Sequence, residues 1–333
     1  MNKQTLKNIA ILVALAIALA APFLAYPVFL MKLLCFALFA CAFNLLIGFT
    51  GLLSFGHAAF FGCAGYVAGY MLRDAGWSTE MAILAGVAGS ALVGLVMGAL
   101  AIRRQGIYFS MITLALAQMV YFGALRAPFT GGEDGLQGVP RGELFGVLDL
   151  SSDLTMYYVV LGIALAGFAL IVRIVHSPFG QVLKAIKENE PRAISLGFDV
   201  DRYKLLAFVL SAALAGLAGA TKTVVLGFET LTDVHWAMSG LVILMTLVGG
   251  MGTLTGPILG AFLIILLENK LGDFGSWLAR EDVTGVEWFS TLGESVGMVT
   301  SLIFIICVLL FRRGIVGEIG ALLARAAPRP KTL

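Results

Sequence analysis

Long apolar stretches, each nearly free of charge, recur along almost the whole length of this 333-residue chain. Hydrophobic residues make up 59% of the sequence and charged residues only 13%, against about 25% charged residues in an average soluble protein. A helix needs about 20 apolar residues to cross a bilayer. The sequence therefore predicts an all-α polytopic membrane protein that forms a single transmembrane domain over residues 1–333.

About ten of the apolar runs are candidate transmembrane helices. They lie near residues 8–25, 28–48, 53–72, 81–102, 107–126, 155–176, 205–226, 237–250, 254–271 and 294–311. Lysine and arginine concentrate in alternate loops, which predicts that both termini are cytoplasmic and that Lys222 lies at the outer side. The larger outer loops are then 127–154 and 272–293. The run at 237–250 is short, and the sequence leaves open whether 237–271 is re-entrant.

Residues 177–204 are polar and contain local signals for a helix. Pro191 suits a first helical position, where its missing N–H has no cost. Asn189 or Glu190 stands at the capping position, and Gly197 can end the helix through a left-handed turn. The segment predicts a short cytoplasmic helix from Pro191 to Leu196, with a solvated loop as the alternative.

Two glycine-rich stretches match each other at a constant offset of 201 residues, so that Gly48 aligns with Gly249. We interpret them as an internal repeat, because glycine-broken apolar segments at matching places in two halves are typical of transport pathways. Chance similarity between glycine-rich segments is the alternative, and the relative direction of the copies stays open. The candidate path and gate residues are Asn44, Gly48, Gly51, Ser54, His57, Gly249, Gly252 and Thr255. Polar members of this set could equally bridge helices, and a residue such as His57 is more often packed or pore-lining than a ligand.

Several kinds of chemistry are disfavoured. The sequence contains no Gly-Lys pair and so no nucleotide-binding P-loop. The histidines and cysteines are scattered without metal-ligand spacing, so we expect no metal site. We also expect that the chain is not an enzyme. Carboxylates are almost absent from the predicted spans, with Glu229 and Asp233 near a span end, which disfavours a proton-driven carrier or redox pump. A net charge of +2 gives no reason to expect a nucleic-acid partner.

Four stretches, in the same order along the chain, carry a resemblance to a known family. They are NLLIGFTGLLSFGHAAFFGCAGY, GIYFSMITLALAQ, TGGEDGLQGVP and SPFGQVLKAIKENEPRAISLGFDVDRYKLLAFVLSA. Over roughly residues 30–312, the chain resembles the permease family of bacterial branched-chain amino acid ABC importers. That family has a cytoplasmic coupling loop with the pattern Glu-x-x-Ala-x-x-x-Gly, which Glu190, Ala193 and Gly197 match. Pro191 departs from the usual residue after the glutamate, and a proline is tolerated there.

The resemblance implies a multi-pass permease subunit in the bacterial inner membrane that transports leucine, isoleucine and valine. The partners it implies are a second related permease, identical or different, two cytoplasmic ATP-binding subunits and a periplasmic solute-binding protein. ATP would be bound by those partners, and this chain would need no cofactor. Coupling would fall to Glu190, Pro191, Ala193 and Gly197. Contact with the binding protein would fall to Gly131, Gly132, Asp134 and Gly135.

Two other functions remain open at this stage. Related permeases import urea or short-chain amides, and no residue of this sequence separates those solutes from branched-chain amino acids. A structural membrane subunit of an energy-converting complex is the second alternative. It would be expected to contain buried charges or cofactor ligands within its spans.

Overall fold

The computed structural model describes residues 12–13, 15–146, 148–280 and 314–318, with the backbone alone for 271–280. The predicted span at 294–311 and most of the outer loop 272–293 lie outside the described residues. The chain forms two compact units, residues 1–240 and 241–333. The single-domain boundary of 1–333 stays a prediction.

The described residues are mainly helical, which confirms the predicted all-α class. The helices are α1 (Pro27–Phe49), α2 (His57–Arg73), α3 (Thr79–Ala101), α4 (Ile107–Arg126), α5 (Asp153–His176), α6 (Pro178–Glu188), α7 (Glu190–Ser195), α8 (Val200–Leu226), α9 (Leu231–Val234), α10 (Trp236–Gly249) and α11 (Gly256–Arg280). Among the described residues, five helices are long and apolar enough to cross a membrane, namely α1, α3, α4, α5 and α8. They coincide with five of the predicted apolar runs.

The irregular connections hold four very short strands, in two antiparallel pairs. β1 (Leu136–Gln137) pairs with β4 (Phe228–Glu229), and β2 (Glu143–Leu144) pairs with β3 (Leu148–Asp149). The first pair joins the loop after α4 to the residues that follow α8. It therefore connects two parts of the chain that lie far apart in sequence.

The first unit is organised around α8, which packs against α1, α2 and α3. Small residues allow these helices to approach closely. A Cβ at Gly219 would lie 2.7 Å from the backbone carbonyl carbon of Phe61, and a Cβ at Gly94 would overlap Ala212. A Cβ at Gly98 would likewise overlap the side chains of Leu205 and Phe208. Such contacts are the close packing that small residues permit in membrane helices.

Side-chain contacts group the loops of the first unit at its two ends. At one end, Lys187 of α6 contacts Gly48, and Gln105 contacts Glu190. At the other end, Arg73 donates to the carbonyl of Gln137, and Thr79 donates to the carbonyl of Arg141. This grouping agrees with the predicted alternation of helix directions. Which end faces the cytoplasm stays a prediction.

Candidate functional site

The polar segment 177–204 folds into two consecutive helices. Asn189 caps α7, because its side-chain oxygen accepts a hydrogen bond from the N–H of Arg192 at 3.1 Å. Gly197 follows the helix with a φ of +86°. The predicted helix Pro191–Leu196 is confirmed with a shift of one residue. Helix α6 was not predicted, although it begins with similar signals, a serine cap at Ser177 followed by Pro178.

Glu190 and Ala193 hold α7 against the rest of the first unit. The Glu190 carboxylate accepts from Lys204 at 2.6 Å and from Gln105 at 2.9 Å, and the Lys204 side chain is itself buried. Ala193 is buried against Ile186 and Val200. Both residues therefore face inward, so they fix the position of α7 and do not present a contact surface themselves.

This polar segment also exposes three apolar side chains. Ile194 is 57% exposed, Leu196 is 67% exposed, and Phe198 is also exposed. The positive φ of Gly197 turns the chain so that Leu196 and Phe198 stand on either side of it. We call these three residues the apolar patch. It was not predicted, although each residue lies within the segment that the sequence singled out.

Lys187 connects the polar segment directly to the first glycine-rich stretch. Its ammonium group donates to the backbone carbonyl of Gly48 at 2.6 Å, near the end of α1. Its aliphatic stem lies against Gly51, where a Cβ would be 3.2 Å from the Lys187 Cγ atom. Gly51 has a φ of +80°, a conformation that favours glycine. A movement of α6 would therefore be transmitted to the break between α1 and α2.

That break, residues 50–56, is non-helical backbone held by hydroxyl side chains. Thr113 accepts from the N–H of Phe55 at 3.1 Å, and Ser110 donates to the carbonyl of Leu53 at 2.7 Å. Ser239 accepts from the N–H of Ala58 and donates to the carbonyl of Phe55. Polar groups of the apolar runs thus satisfy backbone groups that a helix break leaves free.

The other path residues predicted in the first copy are packed. His57 is fully buried among Phe43, Phe60 and Phe208, and its Nε2 atom is 2.8 Å from the Ser211 hydroxyl. Asn44 and Ser54 are also buried. Their role in a path stays a prediction.

In the second unit, the matching stretch forms a close helical hairpin. α10 ends at Gly249, and α11 begins at Gly256. A Cβ at Gly249 would lie 2.5 Å from the carbonyl carbon of Gly256. Gly252 has a φ of +79°, almost the value of Gly51 in the first copy. The same helix–break–helix conformation in both copies supports the internal repeat. Thr255 lies exposed at the break, beside the start of α11.

The predicted binding-protein loop is a series of glycine turns. Gly131, Gly132 and Gly135 all have positive φ values, and Gly135 packs directly against the backbone of Glu229 and Thr230. Asp134 is exposed. Further along the loop, the hydroxyl and N–H of Ser151 donate to Asp149 and lower the pKa of that carboxyl.

Lys222, which the sequence places at the outer side, is buried within the unit, and its outer-side placement stays a prediction. Lys222 lies within α8, 3% exposed, and its ammonium group is 2.5 Å from Asp233 and 3.3 Å from Glu229. Both carboxylates are buried as well. This cluster was not predicted, because Glu229 and Asp233 follow the end of α8 and were placed only near a span end. The turn at Gly227, with a φ of +76°, reverses the chain so that both carboxylates lie beside α8.

A family model described as "Branched-chain amino acid transport system / permease component" matches residues 26–309. The chain belongs to this family. The family consists of transporter permeases, and the chain is a multi-pass membrane protein of that family.

The chain is similar in sequence to several curated permease proteins. The LivM permease protein of the high-affinity branched-chain amino acid transport system of Salmonella typhimurium is 29% identical over 70% of this chain and 60% of the relative. The LivH permease protein of the corresponding system of Escherichia coli is 24% identical over 70% of this chain and 80% of LivH. The autoinducer 2 import system permease protein LsrC of Klebsiella pneumoniae is 29% identical over 54% of this chain and 52% of LsrC. The permease spans about 60% of the length of the LivM relatives that it matches.

Proposed function

We propose that the permease forms the translocation path for leucine, isoleucine and valine in an ATP-binding cassette importer of the bacterial inner membrane. Relatives named for branched-chain amino acid transport support this solute class over urea or short amides. Similarity to both LivM and LivH supports a second, related permease as a partner.

Energy would enter through separate ATP-binding subunits. The permease would itself hydrolyse no ATP, since its sequence lacks a P-loop. It would hold no cofactor of its own. A periplasmic binding protein would deliver the solute to the outer loop around Asp134. Family membership argues against a structural subunit of an energy-converting complex.

The observation that carries the proposal is the apolar patch on α7 and the turn after it. Exposed apolar groups clustered on an otherwise polar segment are typical of a protein–protein contact. The ion pair between Glu190 and Lys204 fixes α7 on the side facing away from the patch. The Lys187 ammonium group joins the neighbouring α6 to the carbonyl of Gly48. A partner that moved this segment on ATP binding would therefore pull on the break between α1 and α2.

The test is a Leu196→Asp substitution in the importer assembled from this permease and its natural partners. We expect the ATP-binding subunits to be lost on affinity purification, because a buried unpaired charge is costly at an interface. Leu148→Asp is the matched control, since Leu148 is an exposed apolar residue at the opposite end of the unit. Equal recovery of ATP-binding subunits with both variants would contradict the coupling role. Uptake of labelled leucine and labelled urea by the wild-type importer then decides the solute.

A further inference from the structure

The chain that follows α8 runs inward beside α2 without forming a membrane-spanning helix. Two glycines of α2 lie in close contact with this segment, Gly65 with Glu229 and Gly62 with Val234. One turn earlier along the contact, Gly69 packs against Leu136 of the loop after α4. Farther along the same helix, the N–H of Ala58 donates to Ser239. From Gly65, which contacts Glu229, to Ala58, which is bonded to Ser239, is about 10 Å of helix, at about 1.5 Å per residue. Residues 229–239, which include α9 and the first turn of α10, therefore extend beside α2 over about a third of an apolar core of about 30 Å.

Interrupted helices are tolerated within a membrane only where protein or a cavity surrounds the breaks, and in transporters such interruptions mark the solute path. This segment also carries charge. Glu229 and Asp233 lie on it and face Lys222 of α8, with all three side chains buried. Thr223 donates to the same Glu229 oxygen, Oε2, at 2.5 Å. Gly65 leaves the space for that carboxylate, because a Cβ there would lie 2.5 Å from Glu229 Cδ.

Two buried polar atoms at this cluster have no hydrogen-bond partner among the residues that the structure describes. One is the second carboxylate oxygen of Glu229, Oε1, and the other is the hydroxyl of Tyr66. Tyr66 is next to Gly65 on α2, within electrostatic range of both Glu229 and Asp233. An unpaired buried acceptor and an unpaired buried donor each cost free energy unless a further group pairs with them.

An apolar cavity of about 250 Å³ adjoins the cluster. Cys63 and Tyr66 form part of its wall, together with residues of α3, α4 and the loop that follows α4. Drug-sized ligands occupy pockets of about 300–1,000 Å³, so this cavity suits a smaller apolar group. Tyr66 thus stands between a charged cluster and an apolar space.

We propose that Glu229 and Tyr66 bind the head group of an α-amino acid inside the permease. The solute ammonium group donates to Glu229 Oε1, and the Tyr66 hydroxyl donates to the solute carboxylate. The aliphatic side chain occupies the cavity beside Cys63. Lys222 and Asp233 are positioning residues that hold Glu229 in place. This inference rests on the proposed function, because it assigns a zwitterionic, aliphatic solute to the path.

The test compares Glu229→Gln and Tyr66→Phe in the complete importer reconstituted into proteoliposomes. Both substitutions preserve shape and remove one interaction with the head group. We expect leucine uptake to fall by about tenfold to a hundredfold, as the loss of a charge-assisted hydrogen bond predicts. ATP hydrolysis stimulated by the binding protein should stay close to wild type. Uptake with wild-type rate and KM in both variants would overturn the inference.

The matched controls are Tyr70→Phe, on the same helix, and Glu143→Gln, in the exposed outer loop. Both should transport leucine as the wild type does. A wild-type importer that takes up no leucine would refute the proposed function, whereas equal uptake by wild type and variants refutes only this site.

Thermal unfolding provides a second measurement. Leucine should raise the melting temperature of the purified wild-type permease but not that of Tyr66→Phe, since a ligand stabilises the state that it binds. No rise in the wild type, at leucine concentrations far above the uptake KM, would overturn the site as well.

Discussion

Gly219 is the position in α8 where a single methyl group should disturb the helix packing most. A Cβ there would lie 2.7 Å from the carbonyl carbon and 3.0 Å from the Cα of Phe61, and closer still to the Phe61 carbonyl oxygen. These are backbone atoms of α2, which cannot rotate away as a side chain can. Gly219→Ala therefore requires α2 and α8 to separate by several tenths of an ångström or more.

The expected magnitude follows from two opposing terms. Overpacking of a closely packed interior costs about 1–3 kcal/mol, and a backbone clash belongs at the upper end. Alanine in a helix gains about 1 kcal/mol over glycine. The net loss for Gly219→Ala is then about 2 kcal/mol. The control is Gly162→Ala in α5, where nothing lies within 4 Å of the new Cβ and only the gain of about 1 kcal/mol applies.

The two variants should thus differ by about 3 kcal/mol, or roughly 4 °C in melting temperature, because a chain of 333 residues has an unfolding entropy of about 0.7 kcal/mol/K. A thiol-reactive fluorescent dye can follow unfolding of the detergent-purified permease, because Cys35 and Cys41 are free and buried. Melting of Gly219→Ala at or above the wild-type temperature would refute the account of α2–α8 packing. So would equal shifts in the two variants.

Two further substitutions test other contacts of the same unit. Ser239→Ala leaves the N–H of Ala58 and the carbonyl of Phe55 without their side-chain partner, and should cost about 1–3 kcal/mol in thermal unfolding, whereas the isosteric Ser239→Cys should cost less. Lys187→Met keeps the stem against Gly51 but removes the bond to Gly48. It should lower leucine uptake per ATP hydrolysed while leaving the ATP-binding subunits bound, and unchanged coupling would argue against Lys187 as the link.

The long helices were predictable from sequence because length and apolar composition alone decide that a segment crosses the bilayer. Helix α7 was predictable because its cap, its proline and its terminal glycine are local signals. Helix α6 carries similar signals at Ser177 and Pro178 and could have been found in the same way. Local signals do not depend on the rest of the fold.

The charged cluster could not be predicted by the same means. Lys222 stands four residues before the end of an apolar helix, where the usual interpretation is a side chain that reaches the surface. Its pairing with Glu229 and Asp233 depends on the chain turning back at Gly227 and on the space left by Gly65. Those are tertiary features. The inward orientation of Glu190 is similar, because its partner Lys204 belongs to the next long helix.

The bond between Lys187 and Gly48 joins a side chain to a backbone carbonyl, and this asymmetry has a genetic consequence. A substitution at position 48 that preserves the helix end keeps the carbonyl oxygen, and so keeps the acceptor. A substitution at position 187 removes the donor. Loss-of-coupling mutations selected at random should therefore be found at codon 187 more often than at codon 48. A revertant of a codon 187 mutation should restore a cationic side chain at that position or at a neighbouring one on the same face of α6.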